Sequence, residues 1–424
     1  MINPDTPPVS PDLSVPRSAF IALALAAFGS GMSMRVADPM LVRLSTEFSH
    51  SIGEVSAVIT VFSVAYGLAQ LLFGPLGDRY GKYLVIAVAC FVCSFTSLLC
   101  AAAQNFSTLV MARLLAGASC AALIPLSMAW IGDVVSYAER QPVLARFMIG
   151  LILGNGVGVF VGGLCADHLD WRIPFVLISA SFLIAGGYLM QLRRQLPKHA
   201  LSKEAQHDEG IGYVADSLLR SFKKVLQIAW ARVVLLSVFI EGALVFGTLA
   251  FIPTILHLRL GLSLTAAGSM VMLFGVGGLG FALFAPLLVR VLGEQWLIRL
   301  GVSMMCGAML TIGFSLTWYL SLPACFVFGL GFYMMHNTLQ TNATQMAPER
   351  RGAAVAAFAS CYFFGQAVGI GFTGYLLEKV DPAQLSVWFA TALLITGLWF
   401  AAAYGRRSRR VIEKFPCYIC CFVL

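Results

Sequence analysis

Charge is scarce in this chain. Asp, Glu, Lys and Arg make up 11% of its 424 residues, where a soluble domain carries roughly 25%. Several chemistries lack their marks. The one Gly-Lys pair, Gly81-Lys82, has Leu76 where a phosphate loop needs its first Gly and Tyr83 where it needs Ser or Thr, which argues against an ATP-driven pump. No H-E-x-x-H or G-x-S-x-G sequence occurs, so the usual signs of an intramembrane hydrolase are missing. Eight of the eleven cysteines lie in apolar runs and read as small hydrophobes. Cys417, Cys420 and Cys421 have no companion ligands at metal-site spacing. Cys421-Phe-Val-Leu fits a prenylation box in form only and reads as coincidence.

What the chain has instead is apolar length. Hydrophobic residues make up 59% of it, and its mean hydropathy is +0.84. Runs of about 20 residues recur from end to end, and that length spans a ~30 Å hydrocarbon core at 1.5 Å per residue. Twelve spans are predicted: 18–38, 52–73, 83–103, 106–131, 143–166, 172–192, 229–256, 265–289, 296–317, 319–344, 352–376 and 384–404. The fold class is an all-α membrane protein. Residues 1–17 read as a polar, Pro-rich, disordered tail. Residues 18–192 and 229–405 form two six-span bundles. A linker at 193–228 carries an amphipathic stripe of Val214, Leu218, Phe222 and Val225. Residues 406–424 form a basic, Cys-containing tail.

The net charge of +8 does not point to nucleic acid, because the basic residues are sorted by side. With the N-terminus in the cytoplasm, twenty-two of the 28 Lys and Arg fall on the cytoplasmic side. Five fall on the far side (Arg35, Arg43, Arg172, Arg259 and Lys379), and Arg113 lies within a span. That positive-inside bias predicts a multi-pass inner-membrane protein with both termini cytoplasmic and anionic lipid as its neighbour.

The halves resemble each other at a single offset of 211 residues, read without gaps. Gly31 falls on Gly242, Gly67 on Gly278, Pro75-Leu76 on Pro286-Leu287, Arg79 on Arg290 and Arg140 on Arg351. Gly154, Gly158 and Gly163 fall on Gly365, Gly369 and Gly374. Parallel repeats of this kind place a substrate site between the halves near the midplane.

The loop Gly74-Pro-Leu-Gly-Asp-Arg-Tyr-Gly-Lys82 joins the second and third spans. It resembles the major facilitator superfamily signature G-x-L-a-D-R-x-G-R/K, and the resemblance extends over essentially the whole chain. It implies two parallel six-helix repeats around a central cavity, and a conformational latch made by Gly74, Asp78, Arg79, Gly81 and Lys82. In that latch Asp78 docks near the positive N-terminal end of the eleventh helix. The second-half copy has Val289 in place of the Asp, so one latch is expected. Arg113-Leu-Leu-Ala-Gly117 is similar to the family's R-x-x-x-G element. Asp38-Pro39 is similar to the D-x-x-P-type element of the drug-efflux branch. Gly150, Gly154, Gly158 and Gly162-Gly163 are similar to the antiporter element G-x-x-x-G-P-x-x-G-G, with Val159 in place of Pro. Helix packing explains the same ridge equally well.

The polar residues inside the spans supply the candidate site. Arg113 stands about seven residues into its span, roughly 10 Å deep, where an unpaired charge is costly. Arg35 and Asp38, three apart, are its candidate partners. Glu241 stands near the midplane with no basic residue within a turn, and its stripe of Val245 and Thr248 is expected to face the cavity. Asp38, Glu241, Arg113 and Arg35 are therefore the proton-coupling candidates. Tyr66, Gln70, Tyr333, His336, Asn337, Gln340, Tyr362 and Gln366 are the substrate-cavity candidates. The expected function is a secondary transporter working by alternating access as a monomer. It would be driven by the proton gradient with no cofactor or metal, and would export small amphipathic molecules. A facilitator or importer of sugars or organic anions, and a non-transporting membrane sensor, are the alternatives. The substrate's identity does not follow from these residues.

Overall fold

The structure is a computed structural model that describes residues 15–201 and 220–414. Among these residues every regular element is helical. Eleven helices are long and apolar enough to cross a membrane. One of them, Leu264–Phe314, has 51 residues, and a straight helix of that length would measure roughly 77 Å, far more than a bilayer core. The chain breaks it at Gly293, whose φ of 70° and ψ of 160° are open to glycine and strained for any other residue. The two arms are separate crossings, so the described residues make twelve spans.

We label them α1 (Arg17–Arg35), α2 (Ala57–Tyr80), α3 (Lys82–Ala101), α4 (Phe106–Val134, two helices meeting at Ala121 and Ala122), α5 (Tyr137–His168), α6 (Ile173–Leu192) and α7 (Ala229–Leu249). The bent helix supplies α8 (264–292) and α9 (294–314), followed by α10 (Ser321–Gln345), α11 (Arg351–Leu377) and α12 (Pro382–Lys414). The α2–α3 turn and the described ends of the linker lie on one face of the bundle, called here the linker face. The opposite face is the far face. Gly81 makes the α2–α3 turn with φ 90°, a backbone value that glycine adopts without a Cβ clash. Val214 and Leu218 of the linker stripe lie outside the described residues, as do the tail cysteines. Phe222 and Val225 pack against the second-half core.

The repeat is written into the packing. Gly150, Gly154, Gly158 and Gly162 of α5 lie against the carbonyl oxygens of Ala24, Phe28, Met32 and Val36 along α1. Gly365 and Gly369 of α11 meet those of Phe239 and Ala243 of α7 in the same way. A side chain at any of these glycines would collide with backbone, so the ridge is a helix crossing. These contacts repeat at 211 residues. The α4–α2 crossing, Gly117 on the Phe62 carbonyl, recurs as Gly329 on the Phe274 carbonyl at 212. The ungapped offset is thereby corrected, because the second half gains one residue ahead of this crossing and loses one after it, so that the offset is 211 again at Gly365. Large apolar side chains such as Leu283, Ile21, Ile184 and Ile395 point outward, a surface suited to acyl chains and not to water.

Candidate functional site

Two acid–base pairs lie inside the bundle, one in each half. At the end of α1, Arg35 Nη1 donates to Asp38 Oδ2 at 3.2 Å. Asp38 opens a short 3-10 turn ahead of Pro39 and is fully buried, and its Oδ1 has no partner. In the second half, His336 Nδ1 of α10 lies 2.7 Å from Glu241 Oε2 of α7. Glu241 is fully buried and its Oε1 is unpartnered. The His336 side chain keeps 16% exposure, whereas the Glu241 side chain has none.

Aromatic rings connect the two pairs. The Arg35 guanidinium stands 4.2 Å over the Phe246 ring of α7, a cation–π contact between the halves. Phe246 meets Tyr362 at 5.4 Å and Phe332 at 5.5 Å. Tyr362 and Phe332 lie 5.0 and 4.9 Å from the His336 ring. Tyr66 of α2 joins through Phe363, at 4.1 Å from it. Tyr333 packs on Phe332 at 5.2 Å and against Gly278.

The structure thus brings Asp38, Arg35, Glu241, His336, Tyr362, Tyr333 and Tyr66 into one connected cluster. It sorts the others differently. Arg113 does not pair with Asp38. It is fully buried, donates from Nε to the Val58 carbonyl at 3.0 Å and from Nη1 to the Ser33 carbonyl at 2.9 Å, and stands 4.2 Å over Phe62. It staples α4 to α1 and α2. Val245 and Thr248 are buried, and the Thr248 hydroxyl donates to the Leu244 carbonyl, so that stripe packs inward instead of lining a cavity. Gln366 is buried, and Gln70 has a buried Oε1 without a partner. Asn337 is half-buried, and Gln340, one turn from His336 toward the linker face, is exposed. Phe246 and Phe332 are missing from the sequence reading, because a Phe inside an apolar span carries no signal of its own.

With this geometry in place, comparison with known proteins settles the family. The sequence profile of the Major Facilitator Superfamily matches residues 23–370. The chain belongs to that superfamily. Among its relatives is the uncharacterized MFS-type transporter YwfA of Bacillus subtilis, 25% identical over 78% of this chain and 79% of that protein. Citrate exporter 1 of Aspergillus niger is 29% identical, but over only 39% of this chain and 31% of its own length. Among solved structures, the nucleoside transporter NupG superposes with a TM-score of 0.69 at 16% identity, covering 92% of this chain and 98% of its own. At that identity the likeness speaks for the fold alone. Family and apolar helices together make the chain a multi-pass membrane transporter, for which a small-molecule substrate follows.

The halves of this transporter meet on the far side. From the far face to about the midplane, α5 packs on α8 (Gly163 on Leu264, Gly268 on Val159, Gly156 on Met272), and α2 packs on α11 (Thr60 on Gly371, Gly67 on Phe363). The Ser360 hydroxyl donates to the Gly67 carbonyl at 2.9 Å. Gly74 lies seven residues further along the same α2 stripe, and a Cβ there would meet nothing within 4 Å; Gly352, at the linker end of α11, is equally open. The central cluster is therefore closed off on the far face, and α2 and α11 part toward the linker face. In the signature loop, Lys82 bridges Asp78 at 3.6 Å and Asp133 at 2.7 Å, and Arg79 stands 5.4 Å over Tyr80.

Proposed function

We propose that the chain is a proton-coupled exporter of small amphipathic molecules. It would act as a monomer in the inner membrane, with its linker face and both termini in the cytoplasm. The observation that carries this reading is the Glu241–His336 pair. A carboxylate and an imidazole at 2.7 Å share one proton, and the unpartnered Glu241 Oε1 is an acceptor for a second. His336 and Asn337 are only partly covered and Gln340, one turn nearer the linker face, is exposed, so the second proton leaves and substrate enters from that side. The surrounding Phe246, Phe332 and Tyr362 offer flat apolar contact to a molecule that also carries a polar group. Asp38 and Arg35 form the first half's charge pair and sense the second half through Phe246. Arg113 contributes by fixing the helices on which that pair stands.

The test is reconstitution in vesicles with an imposed pH gradient and a panel of amphipathic aromatic compounds, read by proton-flux fluorescence. The expected result is gradient-driven flux that Glu241→Gln abolishes while downhill exchange of substrate survives. Downhill flux that ignores the pH gradient, in the parent as in Glu241→Gln and Asp38→Asn, would favour a facilitator. No flux of any compound under either gradient would favour a sensor.

A further inference from the structure

We propose that Asp167 and Glu378 are repeat-related latches that hold the far face shut, each carboxylate of one half closing on the start of a helix in the other. Asp167 stands in the last turn of α5. Its Oδ1 accepts from the Leu264 amide at 3.1 Å, and its Oδ2 accepts from the amide and the hydroxyl of Thr265, both at 2.6 Å. Glu378 caps the end of α11, and its Oε1 accepts from the Gly53 amide at 3.1 Å. Gly53 lies in the turn Ile52–Val55 that leads into α2.

The two contacts are one contact used twice. Asp167 and Glu378 are 211 residues apart, and so are Gly53 and Leu264. The packing beneath them repeats at the same offset: Gly163 lies against Leu264, and Gly374 against Gly53. The arrangement answers a definite need. The first amides of a helix have no partner within it and carry partial positive charge. At both helix starts a serine of the same half takes the third amide, Ser51 from Glu54 at 3.2 Å and Ser263 from Ala266 at 3.1 Å. The amides ahead of it are left to the carboxylate from across the gate. Opening the far face strips these amides of their acceptor, and closing restores it. The latches are unequal, with three hydrogen bonds at Asp167 and one at Glu378. This reading stands apart from the proton-coupling proposal, since neither carboxylate belongs to the central cluster.

The test uses Thr60→Cys in the full chain as a reporter, because Thr60 lies behind the gate in the α2–α11 contact. A membrane-impermeant thiol reagent is applied to vesicles of each orientation. Its reaction rate is taken as the difference from protein without the reporter. Removing Asp167 (Asp167→Ala) strips three donors of their acceptor and is expected to raise the rate from one face more than about tenfold, tenfold being roughly the factor that corresponds to one charge-assisted hydrogen bond. Glu378→Ala is expected to raise it less, and the double variant to exceed either. The isosteric Asp167→Asn and Glu378→Gln keep an acceptor without the charge and should fall between parent and alanine. Unchanged rates across these variants would overturn the proposal. A rise from both faces alike would overturn it too, since that reports loosened packing instead of a gate.

Discussion

Adding one methyl group to Gly154 is the sharpest test of the packing described here. A Cβ at this position would stand well under 3.0 Å from the Phe28 carbonyl oxygen, in a crossing where both partners are backbone and neither can swing aside. Alanine raises helix propensity by about 0.8–1 kcal/mol over glycine, but forcing a tight contact apart costs typically ~1–3 kcal/mol. Here α1 and α5 would have to separate along a contact that three other glycines also hold, so the upper part of that range applies and the sign is destabilising. For a half of about 175 residues, 1 kcal/mol moves the midpoint by about 2–4 °C. Gly154→Ala should therefore unfold roughly 3–8 °C lower than the parent, read by thermal unfolding of purified protein in detergent. Gly187→Ala is the control. Gly187 lies in α6 with nothing within 4 Å of its Cβ position, so only the propensity gain operates and its midpoint should hold or rise. Gly365→Ala meets the Phe239 carbonyl as Gly154 meets that of Phe28, and should fall by a similar amount. Being in the other half, it should add to Gly154→Ala with little coupling. If Gly154→Ala matched or exceeded Gly187→Ala, the close crossing would be wrong, and with it the repeat read from these contacts.

Other residues give separate tests. Arg113→Lys keeps the charge but loses the fork that reaches two carbonyls, so one buried acceptor is stranded; a loss of ~1–3 kcal/mol is expected in the same unfolding assay. Gly293→Ala puts a side chain where φ is 70° and ψ is 160°; a cost on the order of 1–3 kcal/mol should appear as lower yield and a lower midpoint. Phe246→Leu keeps an apolar side chain in the packed site but removes the ring beneath Arg35, a contact worth about 0.5–2 kcal/mol; transport should fall while the unfolding midpoint moves by only a few degrees, and full transport would show that the two charge pairs act independently.

The twelve spans and the two-fold repeat were legible because lipid enforces them. A crossing needs a fixed apolar length, and a glycine that admits a neighbouring backbone cannot drift without cost. Even the bent α8–α9 helix was separable, since basic and polar residues from Arg290 to Gln295 mark a turn between its apolar runs. The partners of the buried charges were not legible. Glu241 looks unpaired in sequence because its imidazole lies 95 residues away, on a helix that only the fold brings near. Arg113 was expected to find a carboxylate and found two carbonyls instead, and carbonyls leave no trace in a sequence because nearly every residue offers one.

That distinction bears on how the transporter moves. Within each half, helices touch through glycines set against backbone along the length of a crossing, as Gly150 to Gly162 do on α1. Such contacts cannot slide without collision, so each half behaves as one piece. Between the halves, close packing stops near the midplane. There it is supplemented by bonds that break singly: Asp167 and Glu378 on helix starts, Ser360 on the Gly67 carbonyl, and Arg35 on Phe246. Arg35 belongs to the first half and Phe246 to the second, so rocking the far face open pulls that contact apart. The Asp38–Arg35 and Glu241–His336 pairs, each contained in one half, stay whole through the same motion. A change at either charge pair can thus reach the gate only through the aromatic bridge or through a substrate lying in its place. This is why Phe246 is the residue whose loss should uncouple the two halves while both charge pairs stay in place.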